Sequence, residues 1–121
     1  MTDIATIALR IDLNGQVREY DLGADQAQQH RVIGRALLDN AEAVEHIERP
    51  EGPNIVVLAR VHRTGQPINV WAAEVSDELE SQITQLVAGE VLFVGYISAT
   101  DTITSLPDDV ATLIREVCSR P

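Results

Sequence analysis

Arg60, His62 and Arg63 form the only basic cluster in the middle of this chain. Arg60 and His62 are two residues apart, so on a strand they share one face. With Arg63 they could receive a phosphate or carboxylate of a small ligand, with Trp71 as the floor of the pocket. No glycine-rich loop accompanies them, so the plainer reading is that these arginines balance acids elsewhere in the chain. A second constellation is acidic. Asp39, Glu42, Glu45, Glu48 and Glu51 recur every three residues, opposed only by Arg49. On a helix, each step of three turns the position back by about 60°. That fans Asp39, Glu42 and Glu45 across an outer face around Leu38, with Glu48 running toward the end. An exposed leucine ringed by carboxylates is a candidate anchor for a basic, partly apolar partner. The bland counterpart is a solvated helix face with Arg35 pairing to Asp39.

The remaining reactive residue types fit structural roles. His30, His46 and His62 are spaced sixteen apart, which matches no metal-ligand pattern, and no metal or cofactor is expected. Read on one long helix, His30 and His46 are too far apart to share an ion. Cys118 falls on the apolar stripe of a C-terminal helix and reads as a small core residue. Ser76, Ser81, Ser98 and Ser105 lie in no nucleophile-elbow context. The pairs Asp77-Glu78 and Asp108-Asp109 are explained as charges at helix N-termini.

Composition narrows the function further. The 121 residues hold 19 acids against 9 arginines, with no lysine and a formal charge of −10. From Gly65 to Leu113 there is no basic residue at all, yet eight acids occur there. Such a field repels nucleic acid and anionic membranes and steers cationic partners inward. The missing lysines exclude lysine-nucleophile chemistry. Apolar content of 45% and a mean hydropathy of −0.02 suit a globular chain. A single cysteine, no evident signal peptide and no apolar stretch long enough to span a bilayer lead us to expect a cytoplasmic protein of one domain, 1–121.

Periodicity supplies the elements. Ile7, Leu9, Ile11 and Leu13 alternate with polar or small residues, and Asn14-Gly15 predicts a two-residue hairpin turn. That turn sets Leu9 against Tyr20, Ile7 against Leu22 and Arg10 against Glu19. A helix is expected from Asp25 to about Arg49, with Ile33, Ala36, Leu37, Val44 and Ile47 on its stripe. A second hairpin is expected from Asn54–His62 and Ile68–Val75, placing Trp71 opposite Leu58. Ser76 would then cap a helix running to Ala88 with Leu79, Ile83, Leu86 and Val87 inward. Val91–Ile97 reads as a buried strand, and 102–104 as its extension or an edge. A last helix starts near Pro107 with Val110, Leu113, Ile114, Val117 and Cys118 inward. The order ββ-α-ββ-α-β-α predicts an α+β fold, with a mainly antiparallel five-stranded sheet packed with three amphipathic helices.

From charge, size and the lack of catalytic signatures we expect a small acidic binding protein, not an enzyme. It would occupy a basic surface on a protein partner, as an immunity protein, antitoxin or inhibitor does. The alternative is a homo-oligomeric structural or regulatory module, perhaps a homodimer, taking a small anionic ligand near Arg60 and His62.

Overall fold

The computed structural model describes residues 6–38, 40–79 and 87–120. The first hairpin pairs β1 (Ile7–Ile11) with β2 (Val17–Asp21), and α1 (Gln26–Leu37) comes next. The second pairs β3 (Ala41–Ile47) with β4 (Asn54–Arg60). Then come α2 (Val70–Glu78), β5 (Val91–Ile97), β6 (Thr102–Thr104) and α3 (Asp108–Cys118). The element order and the α+β class are those expected from periodicity. Every strand pairing is antiparallel, in the order β2-β1-β5-β4-β3. β5 is the centre. One edge pairs with β4; the other is shared by β1 on Val91–Phe93 and by the short sixth strand β6 on Gly95–Ile97.

The sheet is covered on both faces, in separate clusters. On one face Leu9, Ile11, Ile55, Val57, Val91 and Phe93 pack with α2 and α3 through Ala72, Val75, Val110, Ile114 and Val117. On the other, Ala8, Val56, Leu58, Leu92 and Val94 pack with α1 through Ile33, Ala36 and Leu37. This double burial is why β4 and β5 read as unbroken apolar runs rather than alternating ones. Burial raises the pKa of the Cys118 thiol, as expected for a packed, protonated side chain on the inner stripe of α3.

Three local assignments change. The first hairpin is shifted by one residue: Arg10 faces Arg18, Leu9 faces Glu19 and Ala8 faces Tyr20. The connection is the three residues Leu13-Asn14-Gly15, closed by the Asp12 N–H on the Gln16 carbonyl (2.9 Å) and the Gly15 N–H on the Asp12 carbonyl (3.0 Å). A three-residue loop ending in a left-handed glycine competes directly with the two-residue turn, and Gly15 has φ +82. A β-carbon at Gly15 would also lie 2.6 Å from the Trp71 ring. The two facing arginines are reconciled by Asp12, 2.7 Å from Arg10 and 3.5 Å from Arg18. Arg10 also donates to the Ala36 carbonyl (2.7 Å) and lies over the Tyr20 ring.

The first helix stops at Leu37 instead of Arg49. Leu38 takes a left-handed conformation (φ 60) and its N–H closes on the Gly34 carbonyl. The chain then enters strand β3, so Val44 and Ile47 belong to the sheet and His30 and His46 do not share a helix. A β-bulge lies between Ala43 and Glu45. The extra residue puts Glu42 and Glu45 opposite Ala59 and Val57, on one side of the sheet. The spacing of three that imitates a helix is thus a strand with one residue inserted.

The third change is at residues 68–88. No hairpin forms from Ile68 to Val75. Asn69 caps α2, its Oδ1 accepting from the Ala72 N–H at 3.1 Å. Ser76 is therefore buried inside α2 rather than capping a helix, and Trp71 lies in its first turn, over Gly15 and not opposite Leu58. Residues 67–69 run against 87–89 in a short antiparallel contact. Ile83 and Leu86 lie outside the described residues.

Candidate functional site

The residues singled out from sequence are dispersed. Leu38 is 77% exposed at the end of α1. Glu42 and Glu45 lie on edge strand β3, where Glu42 pairs with Arg63 at 2.7 Å. Glu48 and Glu51 sit in the exposed β3–β4 loop, and Asp39 lies outside the described residues. α1 itself carries no acid but does carry His30, Arg31 and Arg35, so its outer face is basic, opposite to expectation. Arg60 lies 3.5 Å from Glu90, and Arg63 also donates to the Arg60 carbonyl at 2.5 Å. Both guanidinium groups already face acids, as charge balance would have it. His62 is exposed just past β4, and Trp71 is half-buried in the first turn of α2, on the far face.

A different group of residues converges at one end of the sheet. Pairing of β3 with β4 and of β4 with β5 sets His46 beside Val56, and Asn54 beside Tyr96. The Arg49 N–H donates to Asn54 Oδ1 (3.1 Å), which orients the amide. Asn54 Nδ2 then faces Ser98 Oγ at 3.1 Å and His46 Nε2 at 3.2 Å. An amide nitrogen only donates, so in this contact His46 Nε2 is the acceptor. The His46 and Tyr96 rings meet edge to face, centroids 5.5 Å apart. The Tyr96 hydroxyl donates to the carboxylate of Asp101, which occupies a left-handed position (φ 51) in the turn between β5 and β6.

Two hollows flank this group on the α1 face. One, of about 410 Å³, has a floor of Ala43, Val56, Leu58 and Val94 beneath His46, Tyr96 and Asp101. The other, of about 720 Å³, lies beside Gln26, Gln29 and His30 of α1. They share Tyr96, Asp101 and Ile103. An apolar floor with a few convergent polar groups at one end is the ordinary make-up of a binding site. Covalent catalysis would need a nucleophile held by a base. Here Ser98 is reached by an amide, which offers no base, and among the described residues no group of three His, Cys, Asp or Glu could hold a metal.

The hydrogen bond to Asp101 raises the Tyr96 pKa, since it holds the phenol proton. A raised folded-state pKa stabilises below the unfolded tyrosine pKa and is lost as pH rises through the folded value. Asp101→Asn is therefore expected to bring the Tyr96 phenolate absorbance in at lower pH than in the parent protein. Equal titration curves would mean that the hydrogen bond is not formed in solution.

The same end of the sheet collects four acids that no arginine bridges among the described residues, beside one arginine, Arg49, that is already paired. Asn54 and Ser98 join the β3–β4 loop to the β5–β6 turn, and Arg49 joins that loop to α3 through Asp109, whose pKa it lowers. Glu48, Glu51, Asp101 and Asp108 are thus carried on three neighbouring segments. None of them bridges to an arginine among the described residues. Comparison with protein-family models, curated proteins and solved structures returns no significant match.

Proposed function

We propose that this chain is a non-enzymatic binding protein whose partner is a protein with a basic surface, in the manner of an immunity protein, antitoxin or inhibitor. The observation that carries this reading is how the arginines are spent. Seven of the nine, Arg10, Arg18, Arg49, Arg60, Arg63, Arg115 and Arg120, already bridge to acids of the same chain. The surplus of negative charge therefore has little left inside the chain to neutralise it. The acidic end bearing Glu48, Glu51, Asp101 and Asp108 is the surface it favours, in place of the helix face anticipated from spacing. Carboxylates there would occupy the positions that phosphates take on a nucleic-acid-acting partner. Self-association through this end is disfavoured by like charge.

The test is the salt dependence of association. With the partner identified by co-purification from the native cell, the association rate is expected to fall at least about tenfold on going from low to physiological salt. Replacing Glu48, Glu51 and Asp108 together by their amides should lower the rate at low salt and flatten the dependence, leaving stability nearly unchanged. A salt-insensitive rate, or a partner whose contacting surface is acidic or apolar, would overturn the proposal.

A further inference from the structure

We infer that the groove between His46 and Asp101 is a subsite for one basic side chain of the partner, its aliphatic stem on the sheet and its charge on Asp101. This rests on the reading of a cationic partner given above. Helix α1 covers only part of its face of the sheet, leaving a groove bordered by Ala43 on the edge strand with the buried side chains of Val56, Leu58 and Val94 beneath it. That floor offers no hydrogen bond, so it selects an apolar stem. The polar end offers one anionic group, Asp101, whose only described side-chain partner is a neutral hydroxyl. A carboxylate holding one donor keeps further lone pairs for a second. The Tyr96 wall adds to the same preference, since the face of a phenol ring attracts a cation. Lysine and arginine are the side chains that join a long apolar stem to a charged head. An anionic head would meet Asp101 itself, and a purely apolar side chain would leave the carboxylate desolvated and unpaired.

The site differs from the acidic rim in what it demands. Glu48, Glu51 and Asp108 act at a distance and ask only for positive charge. The groove asks for a stem of fixed length with its charge at one end, and so contributes specificity rather than speed.

The experiment uses the whole chain, labelled for amide NMR, and two probes: N-acetyl-arginine methylamide and its uncharged analogue N-acetyl-norleucine methylamide. The arginine probe is expected to shift amides at Ala43, His46, Val56, Leu58, Val94 and Asp101 saturably, and the norleucine probe to bind distinctly more weakly. Asp101→Asn should weaken the arginine probe about tenfold, the loss of one charge-assisted hydrogen bond. Amide replacement at Glu48 and Glu51 should leave the pattern of shifts in place. Equal binding of both probes, an unchanged affinity in Asp101→Asn, or shifts centred on Glu48, Glu51 and Asp108 would each overturn the subsite. Those results leave the salt-dependent association with a partner standing. A salt-insensitive association together with a saturable, Asp101-dependent groove would instead remove the acidic-rim reading.

Discussion

Asn69→Ala is expected to destabilise the protein by about 4 kcal/mol, enough to consume a large part of an ordinary domain's stability. Asn69 is fully buried. Its Oδ1 accepts from the Ala72 N–H, and its Nδ2 donates to the Ile11 carbonyl at 3.0 Å and the Gly89 carbonyl at 3.1 Å. One side chain thus caps α2, ties it to the end of β1, and closes the segment that leads into β5. Alanine removes all three of these bonds, and each buried group left unsatisfied costs about 1–3 kcal/mol. Asn69→Asp separates the parts of this account. Its carboxylate keeps the cap but turns an oxygen toward two carbonyl oxygens. It should be at least as damaging as alanine near neutral pH and should recover in part on acidification, when one oxygen regains a proton to donate. Urea unfolding measures both through the midpoint, with the slope unchanged. A loss below about 1 kcal/mol for Asn69→Ala would mean that the side chain provides little more than a helix cap.

Gly95→Ala carries the second largest expected loss, about 3 kcal/mol, the upper range for overpacking a core. Gly95 lies mid-strand in β5, paired with both Ile55 and Thr104. A β-carbon there would sit 2.4 Å from the Ser105 carbonyl oxygen and 3.0 Å from the Thr104 methyl. The nearest atom is backbone, so no rotamer change relieves the clash. The glycine is what allows the chain to cross from β6 over β5, toward buried Leu106 and α3. The variant should lose stability and loosen β6, read as faster hydrogen exchange at Tyr96 and Ile103. Unchanged exchange with intact stability would show that Ser105 yields without cost.

Much of the fold is legible from residue patterns, and the failures have physical causes. β5 and α3 are recognisable because burial on two faces and burial on one stripe leave unlike signatures: Val91-Leu92-Phe93-Val94 against Val110, Ile114 and Val117. β3 passes for a helix because an inserted residue converts an alternating strand into one that repeats every three. The pairing that decides the matter belongs to β4, whose outer edge needs a neighbour. Asn69 is the overlooked signal for α2: an asparagine directly before Val-Trp-Ala-Ala is a sound helix cap. The first hairpin is recognisable but its register slips by one residue, because Asn-Gly serves two turn lengths. The group at the sheet's end is not legible. His46, Asn54, Tyr96, Ser98 and Asp101 come from three strands and a turn, and only the strand order places them together. The charge surplus needs no structure, but its location does.

The bulge in β3 has a bearing on what the sheet does not do. A flat outer strand displays amides and carbonyls in register and invites another strand to continue the ladder. Here the inserted residue breaks that register midway, and Glu42 and Glu45 line the side of the same strand that faces α2 and α3. The ladder therefore ends as a polymer ends at a capped monomer: the interrupted edge and its two carboxylates make β3 a poor template for a further strand.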